Sequence, residues 1–191
     1  SRALQLLASA APLEAVLTEL VRTIEQNHEG VAGFVMQYDA THHTLRHGAA
    51  PSLPDAYNRA VDGIPVRPDV GTCSQAAARR QLVITRDIEN AASWVGHQQH
   101  PLGVGLRAVW SMPILGKGDV LLGTIGGYYR ECREPSAAEL ATTRFLARTA
   151  AISIERHRAE EAVRAAEAQL RLITDISPVM LTQCDAQRRF M

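Results

Sequence analysis

The order of apolar and polar positions divides this chain into a mixed set of helices and strands. Leu13, Val16, Leu17, Leu20, Val21 and Ile24 recur at helical spacing and form one apolar face. Pro12 precedes them at the first turn, where its missing N–H costs nothing. After residues 27–30 the period changes. Residues 31–38 (VAGFVMQY) read as a strand, because their side chains suit a pleated, half-buried surface. Residues 39–44 form a turn, 45–49 a weaker strand, and 51–68 a loop with a short helix around 55–60. A glycine turn at Gly71 enters a helix to Arg80 with small residues on every side. Val83 and Ile84 are the core of a short strand that ends at Thr85-Arg86-Asp87. Residues 90–105 form a long polar loop with room for one helical turn. Two longer strands, 107–115 and 120–129, are joined by Gly116-Lys117-Gly118-Asp119, a hairpin signal because glycine tolerates positive φ.

The last helix opens at Pro135-Ser136. Ser136 suits an N-cap, and Glu139 stands three residues on, at capping-box spacing. The helical pattern runs to about residue 173, longer than most helices of single domains. Leu140, Ala147, Ala151 and Ile154 are placed to pack on a sheet. Val163, Ala166, Leu170 and Ile173 follow at spacings of four, three and four, which fit a two-helix seam. The pairs Arg156–Glu160, Glu160–Arg164 and Glu167–Arg171 lie at i,i+4, each worth only about 0.2–0.5 kcal/mol. We therefore expect an exposed helix that dimerises along its apolar stripe. The competing expectation is a solvated helix without a partner.

Composition narrows the class. The 191 residues are 46% hydrophobic and 21% charged, as in soluble globular proteins. Twenty lysines and arginines balance 20 aspartates and glutamates, so no net field favours nucleic acid or an anionic membrane. No apolar run approaches the roughly 20 residues of a membrane span, and no signal-peptide layout is visible at the N-terminus. A cytoplasmic setting is expected. Cys73, Cys132 and Cys184 are odd in number and without paired spacing, so neither a disulfide framework nor a zinc site is expected.

Four ordered motifs carry a resemblance: Gly71-Thr72-Cys73-Ser74, residues 83–88 (VITRDI), residues 105–114 (GLRAVWSMPI) and Leu122-Gly123-Thr124. Together they resemble the GAF domains of bacterial multidomain sensors over residues 12–156. The resemblance implies an α+β fold with a central antiparallel sheet, helices on one face and ligand loops on the other. It implies a small-molecule sensing module, not an enzyme, within a histidine kinase or cyclic-di-GMP enzyme. The expected layout is a helical lead-in over 1–11, the GAF domain over 12–156, a signalling helix over 157–173 and, over 174–191, a stretch resembling the start of a PAS domain. Expected partners are an unidentified ligand, a second copy bound through the helix, and downstream PAS or output domains.

On that resemblance the ligand site lies between the sheet, the Cys73 turn and the 90–105 loop. Trp94, Trp110 and Tyr128 are candidate walls, with Cys73, Ser74, His97, His100 and Ser111 as polar groups. Strand alternation puts Val109 and Ser111 on one face and Trp110 and Met112 on the other, without saying which face is the helix-packed core. Trp110 and Tyr128 are therefore either pocket walls or sheet core. Cys73 is either a reactive or ligating thiol or a small buried hydrophobe. The Cys73 turn is similar to that of the free methionine sulfoxide reductases, a thiol-enzyme alternative, but the 90–105 loop carries none of the cysteines they need. A structural dimerisation module that binds nothing is the third reading. His97 and His100 lie three apart in the loop; His42, His43 and His47 cluster at a turn without a ligand set; His157 reads as a surface residue. No metal site is expected, no cofactor is named, and no phosphate-binding glycine loop or hydrolase motif is present.

Overall fold

The computed structural model describes residues 11–188, with side-chain surroundings for 11–174. All of the expected lead-in except Ala11 lies outside the described residues, as do the side chains of nearly all of the 174–191 stretch. The chain divides into two units, residues 1–154 and 155–191.

In the first unit α1 (Leu13–Asn27) buries Val16, Leu17, Leu20, Val21 and Ile24, the stripe that its spacing marks out. Then come β1 (Ala32–Asp39), β2 (Thr44–Ala49), α2 (Asp55–Ala60), β3 (Ile64–Pro65), α3 (Thr72–Arg79) and β4 (Val83–Thr85). The loop that follows contains a 3-10 turn (Ala92–Trp94) and α4 (Gln99–Gly103), more order than the single helical turn its sequence suggests. β5 (Ala108–Leu115), β6 (Leu121–Tyr129) and α5 (Ala137–Arg188) complete the chain. Gly118 takes φ 66° between β5 and β6, and the Gly116 N–H closes the turn onto the Val120 carbonyl at 2.8 Å.

The six strands form one antiparallel sheet in the order β3-β2-β1-β6-β5-β4. β6 lies between β1 and β5, and all nine of its residues are buried. Such burial requires cover on both faces, and the sheet has it. One face carries α1 and the first turns of α5, packed on Val35, Trp110, Met112, Ile114, Ile125 and Tyr129. The other carries α2, α3 and the 90–105 loop, packed on Phe34, Met36, Leu45, Val109 and Tyr128. Trp110 is thereby assigned to the helix-packed core. β3 was not legible in the sequence: its two residues pair with Leu45 and Thr44, and such an edge has no local pattern of its own.

The start of α5 is pinned to the sheet by a chain of polar contacts. Ser136 Oγ accepts from the Glu139 N–H at 3.2 Å, and Glu139 Oε2 accepts from the Ser136 N–H at 2.6 Å, the reciprocal capping box. Arg133 donates to the same carboxylate at 2.7 Å and lies 3.8 Å from the centroid of the Tyr129 ring. The Tyr129 hydroxyl in turn accepts from Trp110 Nε1 at 2.8 Å. Burial alone would raise the pKa of Glu139, but Arg133 and the Ser136 contacts outweigh it and hold the carboxyl below its ordinary value.

In the second unit α5 continues from Glu155, and its side chains from there to Thr174 are half-buried or exposed. Val163 is 56% exposed, Leu170 64% and Ile173 59%, so nothing among the described residues covers their stripe. Glu160 pairs with both Arg156 and Arg164, and His157 pairs with Glu161, all at i,i+4 on the helix surface. Among the described residues no helix is long and apolar enough to cross a membrane.

Two substitutions test this account. A Cβ on Gly126 would overlap the Trp110 carbonyl oxygen and come within 2.7 Å of Phe34 Cζ. Gly126→Ala should therefore cost about 1–3 kcal/mol or more in denaturant unfolding. Glu139→Gln should cost about 1–2 kcal/mol at neutral pH. Because the folded pKa of Glu139 is lowered, its contribution is present above the unfolded carboxylate value, about 4.3, and is lost as pH falls through the folded value. The variant should show a flatter decline in stability with acid than the parent, measured by urea unfolding across that range.

Candidate functional site

Gly71 opens the site. Its φ of 48° and ψ of 165° put the chain into α3 without a side-chain cap, and its Cα faces the Trp94 ring. A residue with a Cβ would be strained at that φ. The Gly71 N–H donates to the Ser93 carbonyl at 2.7 Å and ties the 90–105 loop to the start of α3. Trp94 Nε1 donates to Thr72 Oγ1 at 3.0 Å, and Thr72 Oγ1 shares a 2.7 Å hydrogen bond with Thr85 Oγ1 of β4. Ser74 Oγ accepts from the Arg67 N–H at 2.7 Å and donates towards the Pro65 carbonyl at 2.6 Å, fixing residues 65–67 beside α3.

These ties enclose a cavity of about 270 Å³. Its walls come from residues 60–65, from Val70 to Ser74, and from Trp94, His97, His100 and Tyr128. A space of about 20 Å³ shares Val61, Ile64, Cys73 and Tyr128 with it. Of the candidate site residues, the structure brings Cys73, Ser74, Trp94, His97, His100 and Tyr128 to the cavity and leaves out two. Trp110 is on the opposite face of the sheet, hydrogen-bonded to Tyr129. Ser111 is on the cavity side of β5 but fully buried, and does not line the cavity. Residues 60–65 and Val70 are wall residues that sequence reasoning missed. Only the pairing of β3 with β2 carries them there, and an apolar, glycine- and proline-bearing loop gives no local sign of it.

Cys73 and Tyr128 form the polar part of the buried side. The Tyr57 hydroxyl donates to the Tyr128 hydroxyl at 2.9 Å, with the rings edge to face at 5.9 Å. Burial raises the pKa of both phenols, and the Cys73 thiol beside them is pushed up to about 12, chiefly by burial. The Ser111 and Tyr128 hydroxyls pull the thiol value down by less than burial raises it. Ser111 Oγ makes no hydrogen bond of ordinary geometry among the described residues. A thiol with that pKa is not a thiolate near neutral pH, and the thiolate is the nucleophilic and metal-binding form. Among the described residues no three of the histidine, cysteine and carboxylate side chains are grouped to hold a metal ion.

A family model for the GAF domain matches residues 10–155. The chain belongs to the GAF domain family. This GAF domain is 35% identical over 175 residues to the methyl sulfide methyltransferase-associated sensor of Methanosarcina acetivorans. The match covers 92% of this chain and 18% of that protein, so the chain spans less than a fifth of that relative's length. The GAF domain of a phosphoenolpyruvate-protein phosphotransferase from Coxiella burnetii superposes with a TM-score of 0.70 at 20% identity, over 84% of this chain and 93% of the other. A domain of a protein described as a two-component sensor histidine kinase, from Sinorhizobium meliloti, gives 0.66 at 23% identity, over 81% and 99%. At those identities the solved structures speak for the fold alone.

The burial of Cys73 has a direct chemical readout. In the folded protein, brief iodoacetamide treatment should alkylate exposed Cys132 and leave Cys73 unmodified, as mapped by peptide mass. Denaturant should abolish the difference. Equal modification of the two under native conditions would contradict the placement of Cys73.

Proposed function

We propose that this GAF domain is a small-molecule sensing module of a signal-transduction protein. The observation that carries the reading is the cavity of about 270 Å³, walled by α3, β3 and the 90–105 loop and cross-tied at Thr72, Ser74 and Trp94. It lies just below the usual volume range of drug-sized ligand sites, about 300–1,000 Å³, and is mainly apolar with few polar groups, as such sites are. The naming of the Methanosarcina acetivorans relative as a sensor supports the same reading. Cys73, Ser74, Trp94, His97, His100 and Tyr128 are the proposed contact residues.

A ligand that binds one cavity conformation better shifts the population of that state. In this reading the shift reaches an output domain through a helix pair formed by α5 and its copy in a second chain, along Val163, Ala166, Leu170 and Ile173. The parent protein is a cytoplasmic histidine kinase or cyclic-di-GMP enzyme, and a PAS domain begins within 174–191. The exposure of those apolar residues supports the seam, since water contact with such a stripe is unfavourable. The thiol-enzyme alternative is disfavoured by the burial of Cys73 and its raised pKa. It predicts turnover of free methionine sulfoxide that is lost in Cys73→Ser.

A native mass spectrum beside the denatured mass tests both parts. Extra non-covalent mass and a doubled protein mass are the expected results. A bare monomer, together with no ligand-dependent rise in Tm, would leave a structural module. Leu170→Glu should shift the dimer to monomer without loss of helicity in the first unit; an unchanged dimer mass would reject the seam.

A further inference from the structure

The cavity's polar side chains differ in what they have left to offer a ligand. Thr72, Ser74, Trp94 and Tyr128 are all hydrogen-bonded within the protein. Asp62 accepts from the His47 N–H at 2.7 Å and pairs with Arg46 at 3.0 Å, so its charge is already met. The Cys73 thiol is buried against Tyr128 and Ser111. His97 and His100 are the lining side chains whose polar atoms have no hydrogen bond or ion pair among the described residues, and both are exposed at the cavity's edge. The remaining wall is apolar: Val61, Ile64, Pro65, Val70 and the Trp94 ring.

Two imidazoles are donors, and cations when protonated. They face an apolar enclosure with no free carboxylate. We infer that the ligand is a small organic acid, its carboxylate held at the mouth by His97 and His100 and its hydrocarbon body lodged against Val61, Ile64 and Trp94. This rests on the sensing role proposed above and names the ligand class. The uncapped first turn of α3 lines the same cavity and adds a field of the same sign. The volume equals that of about nine waters, at roughly 30 Å³ each, which suits a ligand on the order of ten non-hydrogen atoms. An anion at the mouth keeps part of its hydration, while only apolar surface enters the interior.

The test uses matched probes: phenylacetate against phenylacetamide, and hexanoate against hexanamide, titrated calorimetrically into the whole chain at mildly acidic pH. The acids should bind at least about tenfold more tightly than the amides. The His97→Gln, His100→Gln double variant should lose that preference while keeping the parent Tm, because both residues are exposed. Equal binding of acid and amide, or amide binding alone, would overturn the acid class and leave the sensing role standing. An acid preference unchanged in the double variant would overturn the role of the histidines. If no probe binds, the acid class falls. If in addition native mass spectra show no retained ligand, the sensing role falls with it.

Discussion

The unit that holds the cavity depends on the close approach of β6 to both of its neighbours. A Cβ on Gly123 would meet the Met36 carbonyl, and one on Gly126 the Trp110 carbonyl, so β1 and β5 can lie where they do only if those positions have none. A central strand buried on both faces gives the sheet two apolar surfaces that must each be covered. The helices cover one. The other is covered by short elements and loops, which pack less completely than helices and leave the cavity between them.

Tyr128 and Tyr129 show how closely the two sides are joined. They are consecutive residues of β6 and point to opposite faces. Tyr129 belongs to the line Trp110–Tyr129–Arg133–Glu139–Ser136 that anchors the start of α5. Tyr128 belongs to the cavity and is held by Tyr57. The anchor of α5 and the floor of the cavity are therefore one peptide bond apart. In both networks the polar atoms are paired, which offsets part of the desolvation of the hydroxyls and of Glu139.

The same economy of hydrogen bonds shapes the cavity. Thr72, Ser74 and Trp94 use their polar atoms to hold β4, residues 65–67 and the 90–105 loop together. Walls fixed in this way need little reordering when a ligand enters, which lowers the entropic cost of binding. Cys73, the residue whose chemistry looks most suggestive in the sequence, contributes volume and apolar surface. Its surroundings withhold the water that a thiolate would need.

Much of the fold was legible because the signals were local. The stripe Leu13 to Ile24, the Ser136–Glu139 capping box, the glycine turn at 116–119 and the alternation along β5 each depend on residues within a few positions of one another. The four ordered motifs resemble the GAF family, to which the chain belongs, and with the local signals they pointed to the α+β class that the structure shows and to the region around Cys73 as a candidate place for a site. Three things were decided only by tertiary structure. Alternation separated Ser111 from Trp110, but which of them faced the helices depended on where α1 and α5 docked, far away in sequence. The 60–65 wall depended on β3 pairing with β2, which two residues cannot announce on their own. The state of the Cys73 thiol depended on burial against Tyr57, Tyr128 and Ser111, groups brought together by the sheet and α2, and burial is a property of the packed fold.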